Sequence, residues 1–112
     1  MQAPVKGRLA AGLGPAGEET FHPLVERPGL LLEEIVSRGQ PTPEGEWYDQ
    51  ERDEWVLLAK GRATLVFDPG GPMELETGEH VLIPARLRHR VERVSVDAVW
   101  LALHFDPALR DS

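Results

Sequence analysis

The chain has 112 residues, with 12 Lys and Arg against 19 Asp and Glu and a formal charge of -7 at pH 7. That length allows one domain with one core and one pocket, because a chain of this size buries roughly two-thirds of its unfolded surface. The acidity speaks against nucleic acid or an anionic membrane as a partner, since both are bound through clustered cations, and the absence of cysteine excludes disulfides, thiolate nucleophiles and zinc ribbons.

Residues 1–19 are rich in Gly, Ala and Pro, show no sustained period, and are read as a mobile N-terminal arm. They contain a G-x-G-x-x-G run, Gly12 to Gly17, which marks a dinucleotide site only between a strand and a helix. No strand-like run precedes it, and Pro15, Pro23 and Pro28 break any helix after it. From residue 20 to 112 short apolar runs are cut by turn signals every eight to twelve residues or so, the pattern of a single all-β domain. Nine strands are expected: Phe21–Glu26, Leu30–Ser37, Glu46–Gln50, Glu54–Ala59, Ala63–Phe67, Met73–Glu76, His80–Ile83, Arg88–Val94 and Ala98–Phe105. Leu30–Val36 also suits a helical turn by composition, and its neighbours decide for strand. So many short strands without a long helix predict a sandwich or a jelly-roll β-barrel.

Parity along the strands picks out their faces. Glu54–Ala59 is apolar on both faces after its leading carboxylate, so it is expected to be buried on both sides. In Arg88–Val94 alternation puts His89, Val91 and Arg93 on one face, and Val91 marks that face as the inner one. On the last strand His104 shares a face with Trp100 and Ala102.

Two spacings then carry a resemblance. Glu54 is followed by six residues and Gly61; Gly78 is followed by five residues and Pro84, with His89 five further on. These resemble the paired motifs of the cupins, G-x5-H-x-H-x3,4-E-x6-G and G-x5-P-x-G-x2-H-x3-N, and the resemblance spans roughly residues 29–105. It implies a jelly-roll β-barrel, the double-stranded β-helix, with a divalent metal held by the two first-motif histidines, the glutamate and the second-motif histidine. This chain departs from that set. The H-x-H positions read Tyr48-Asp49-Gln50 or Trp47-Tyr48-Asp49, depending on the spacing to Glu54, and the second motif's glycine and asparagine are Arg86 and Arg93. Only Glu54 and His89 carry over as metal ligands.

Two readings of that remnant stay open. In one, Glu54 and His89 with Gln50, and with His104 if its ring points inward, hold Mn, Fe, Ni or Zn, approaching a two-histidine-one-carboxylate set. In the other, Glu54 and His89 form a buried hydrogen-bonded pair with Tyr48 or Gln50 and no metal. Arg93 shares the His89 face and counts among the ligand-pocket candidates, where it would bind a carboxylate or phosphate, although its place near the strand end favours the barrel rim and pairing with carboxylates there. His80 is expected at the surface, and His22 has no assigned role. The stretch from Glu44 to Trp55 holds six carboxylates in twelve residues beside Trp47, Tyr48 and Trp55, a composition suited to a pocket wall for a sugar or an aromatic acid.

Acyl-transfer chemistry fails on inventory: three serines, none in G-x-S-x-G, and no cysteine. The expected function is therefore small-molecule binding by a cupin with a depleted metal site. The alternative is a metal-dependent enzyme, an oxygenase, isomerase or lyase, with Glu54 and Tyr48 as its catalytic groups. The resemblance also implies a homodimer. No run of 18 apolar residues occurs, and the expected location is the cytoplasm.

Overall fold

In the computed structural model, which describes residues 3–10 and 18–110, the turn signals separate eight strands. They are β1 Thr20–Arg27, β2 Leu30–Val36, β3 Asp53–Lys60, β4 Arg62–Asp68, β5 Gly71–Glu76, β6 His80–Ile83, β7 Arg88–Val94 and β8 Val99–Phe105. A short 3-10 turn, Pro107–Leu109, follows. One sheet runs β1-β2-β8-β3-β6 and the other β5-β4-β7, with antiparallel pairing throughout. The architecture is the expected all-β jelly roll. Gly12 to Gly17 lies outside the described residues, and residues 3–10 carry no regular secondary structure.

The ninth strand does not form. Glu46–Gln50 makes a single bridge, in which Tyr48 N–H donates to the His89 carbonyl at 2.8 Å and His89 N–H donates to the Tyr48 carbonyl at 3.1 Å. Closely spaced carboxylates and two preceding prolines favour a solvated loop over a ladder there. That one bridge is enough to pull Tyr48 onto β7.

The core fills the gap between the sheets. Val56 and Leu58 of β3, Ile83 of β6, and Trp100 and Ala102 of β8 meet Ala63, Leu65 and Phe67 of β4 and Leu75 of β5. The expectation that β3 is buried on both sides is corrected. Val56 and Leu58 are buried, whereas Trp55 and Leu57 are only part-covered and Ala59 is exposed.

Two buried acids tie down the ends of the fold. Glu34 is 0 % exposed although it points away from the core; its Oε1 accepts the Ala10 N–H at 2.6 Å, and its Oε2 has no partner among the described residues. Asp53, 3 % exposed, accepts the Ala85 N–H at 2.8 Å and two bonds from Arg110 at 2.5 and 2.7 Å. The Arg110 bonds hold its carboxyl down to about 2 against the upward push of burial, with help from Ala85 and from the guanidinium charge. Among the described residues no helix is long and apolar enough to cross a membrane.

The glycines of the two sequence spacings differ in what surrounds them. Gly61 has φ +100°, and a Cβ there would strike Ser95 and come within 2.9 Å of the Ala98 Cα; Gly78 has φ +90° and open space around it. Gly78→Ala should therefore cost about 1 kcal/mol, the left-handed backbone alone. Gly61→Ala should cost at least about 2 kcal/mol more, because rigid backbone must also move. Urea unfolding of the two variants measures the difference, and equal midpoints would refute the steric argument.

Candidate ligand pocket and its carboxylate–imidazole cluster

The inward residues of three adjacent strands build the site. On β3 Glu54 is the first inward position, and register places it directly opposite His104 of β8. On the far side of β8, β2 supplies Glu33, opposite Ala102 and so diagonal to His104. The other sheet contributes His89 from β7. The four side chains form a chain of contacts. Glu33 Oε1 lies 3.0 Å from His104 Nε2, His104 Nε2 lies 3.8 Å from Glu54 Oε2, and Glu54 Oε1 lies 3.5 Å from His89 Nε2.

The far nitrogen of His89 fixes its protonation. Nδ1 sits 3.0 Å from the Leu87 carbonyl, which can only accept, so Nδ1 carries a proton and donates it. The remaining nitrogen faces a carboxylate, which favours a second proton. Burial drags the His89 pKa down, but the Glu54 bond, the Leu87 carbonyl and the Glu54 charge together push it above its ordinary value. The ring is held between Tyr48, stacked at 5.5 Å and 27°, and Phe67 at 6.0 Å.

These groups line a cavity of about 100 Å³ between the sheets. Tyr48, Gln50, Glu54, His89 and His104 all border it. Its apolar wall includes Phe21, Ile35, Leu65, Val91 and Trp100, and its acidic rim adds Glu19 and Glu33. Among the described residues no Lys or Arg borders it. Tyr48, 40 % exposed, stands at the mouth, and burial with the nearby Glu19 and Glu54 charges raises its phenol pKa. Burial also raises Glu19, against the bond from Ser37, with Glu33 adding to the rise.

Arg93 is a correction. It is exposed and borders a surface depression with Arg62, Thr64 and Glu74 on the opposite side of its sheet. The cause is a bulge: Thr64 pairs with Arg93 but Leu65 pairs with Val91, leaving Glu92 unmatched and reversing parity beyond it. His80 is exposed, as expected, and accepts from Trp55 Nε1 at 3.3 Å. Glu33 and Glu19 were not among the sequence candidates. Two successive glutamates in an apolar strand were the available signal, because alternation must turn one of them inward.

The donor types suit a divalent cation, with two imidazoles around one carboxylate. Their arrangement is closed on itself instead: His104 Nε2 is bonded to Glu33, and His89 Nε2 faces Glu54. Among the described residues no group of three or more acidic or histidine side chains is set to hold a metal ion.

Because the His89 pKa is raised, its contribution to stability is complete below the ordinary value of 6.5 and fades as pH climbs past the raised value. Glu54→Gln should drop the His89 pKa below 6.5, leaving burial as the dominant influence, and should flatten stability over that alkaline window. An NMR titration of the His89 ring measures this; an unchanged midpoint in the variant would show that Glu54 does not control the ring.

Similarity to known proteins agrees with the geometry. A Ralstonia eutropha protein described as a candidate mannose-6-phosphate isomerase is 41 % identical, with a TM-score of 0.83 over 92 % of this chain and 99 % of that one. A cupin superfamily protein of Desulfitobacterium hafniense superposes with a TM-score of 0.75 at 14 % identity, over 92 % and 94 % of the two chains. KdgF from a Halomonas species gives 0.68 at 17 % identity over 88 % of each. The latter two show the fold alone. No family model matches the sequence, and no curated protein matches it. With its jelly roll, its two motif remnants and these relatives, the chain belongs to the cupin superfamily.

Proposed function

We propose that this cupin binds a small neutral or cationic organic molecule in the cavity between its sheets, without needing a metal to do so. The observation that carries the reading is the lining. Three glutamates and a phenol line the chamber beside Gln50, His89 and His104, and among the described residues no Lys or Arg borders it. A carboxylate or phosphate entering it would meet like charge at short range in a poorly screened space. A hydroxyl or amine would instead find acceptors at Glu19, Glu33 and Gln50, a donor at Tyr48, and flat apolar contact at Trp100 and Phe21. The Ralstonia eutropha relative is described by a phosphorylated sugar, and this lining argues against the phosphate as the group recognised here.

A second reading, a metal-dependent enzyme, is favoured by one observation: His104 turns into the cavity beside Glu54. Glu54, His89 and His104, with Gln50 at hand, would then hold Mn, Fe, Ni or Zn, and the metal would supply Lewis-acid chemistry. The chain's own groups would orient the substrate, with Tyr48 donating a hydrogen bond at the mouth. Displacing the Glu33–His104 and Glu54–His89 contacts would weaken such a site.

Ligand-observed NMR with a fragment set of neutral sugars, amines, carboxylic acids and mannose 6-phosphate separates the possibilities. Neutral or cationic fragments should bind and perturb the Trp100 and His89 signals, and Glu33→Gln should weaken the amines most. Preference for acids or for mannose 6-phosphate would overturn the proposal. Elemental analysis of the purified protein should find less than one equivalent of divalent metal. A full equivalent lost in both Glu54→Ala and His89→Ala would promote the enzyme reading.

A further inference from the structure

The cavity between the sheets is small for an organic ligand. Its volume of about 100 Å³ falls below the roughly 300–1,000 Å³ of typical small-molecule pockets. A second hollow of about 310 Å³ adjoins it. Glu19, Tyr48 and Val91 border both spaces, and residues 40–43 wall the outer one. That wall is fastened to β7. Thr42 N–H donates to the Val91 carbonyl at 2.9 Å, Val91 N–H donates to Thr42 Oγ1 at 2.9 Å, and Arg90 Nη2 donates to the Thr42 carbonyl at 3.2 Å. Pro41 and Pro43 have no N–H to give, and that of Thr42 is spent on Val91, so residues 41–43 offer an anion no backbone donor. What they offer is ring surface, two pyrrolidines close to the half-exposed phenol of Tyr48. Among the described residues no Lys or Arg borders either space.

We propose, resting on the reading of the cavity given above, that the ligand is a primary amine carrying a flat ring, its ammonium seated between Glu19 and Glu33 and its ring in the outer hollow against Pro41, Pro43 and Tyr48. Glu19 stands where the two spaces meet. Its one hydrogen bond among the described residues comes from the Ser37 hydroxyl at 3.3 Å, long for a part-buried carboxylate. Burial raises its pKa and the Glu33 charge adds to the rise, so an ammonium placed there answers both acids at once. The ring goes to the larger space, where flat contact with the phenol and the proline rings holds it. Neither space suffices alone. The inner one lacks room, and the outer one lacks cover, because Gln40, Pro41 and Pro43 are exposed.

Titration calorimetry with phenethylamine as the probe tests this, beside ethylamine, phenethyl alcohol and hydrocinnamate, which each lack one part of it or reverse its charge. The wild type should bind phenethylamine at least about tenfold tighter than ethylamine or phenethyl alcohol, and should not bind hydrocinnamate. Glu19→Gln keeps an oxygen for the Ser37 hydroxyl and should weaken phenethylamine about tenfold while leaving phenethyl alcohol unchanged. The double variant Pro41→Ala, Pro43→Ala, at two exposed positions, should remove the advantage of phenethylamine over ethylamine. Equal binding of the two amines by the wild type overturns this proposal and leaves the cavity reading standing, as does a wild type that binds neutral sugars but no amine. Phenethylamine binding indifferent to Glu19→Gln also overturns it. A preference for hydrocinnamate overturns both.

Discussion

The register between β3 and β8 is the constraint on which the cavity depends. It sets Glu54 against His104 on the inner side and Trp55 against Leu103 on the outer side. A slip by one residue would turn every side chain to the opposite face, placing Trp55 and Leu103 inside and the acid and imidazole outside. The pairings of β8 with β2 and of β3 with β6 lock this register from both sides. Chemistry and packing are thus fixed by one choice, and neither can be altered alone.

Placing two carboxylates and two imidazoles side by side in a largely apolar chamber is costly unless the charges answer one another. The order Glu33, His104, Glu54, His89 alternates acid and base, so each charge has a neighbour of opposite tendency. The Leu87 carbonyl closes one end of the series by accepting from His89 Nδ1, which leaves Nε2 to face Glu54. A cluster satisfied in this way has less need of a cation than the donor set of the family's first motif, whose two histidines are missing here. Loss of those ligands and closure of the remnant by internal bonds are consistent with each other.

Most of the fold was legible in the sequence, because alternation and turn residues are local signals. Eight of the nine expected strands form, with ends shifted by a few residues. What was not legible depended on events between strands. Parity carried His89 and Val91 correctly but failed at Arg93, since a bulge is a property of a pair and β7 alone does not reveal it. Glu33 gains its place from its diagonal position beside His104, which only the β2–β8 register supplies. Glu46–Gln50 alternates well enough for a strand, yet its carboxylates left it with one bridge. Arg86, standing where the motif has glycine, keeps the glycine's conformation at φ 69° and donates its N–H to the Gln50 carbonyl at 2.7 Å. There the backbone geometry outlasts the residue type.

The position of β8 has a consequence for how the molecule is made. It is the last strand in chain order but the middle strand of its sheet, flanked by β2 and β3. The three-stranded sheet needs only β4, β5 and β7, so its pairing does not wait for β8. Until residues 99–105 dock, β2 and β3 keep open hydrogen-bonding edges and bare apolar sides, which are templates for pairing with other chains. Long-range closure of this kind is slow compared with hairpin formation. The cavity accordingly takes shape only when β8 docks, and the interval before that is when the chain is most exposed to aggregation.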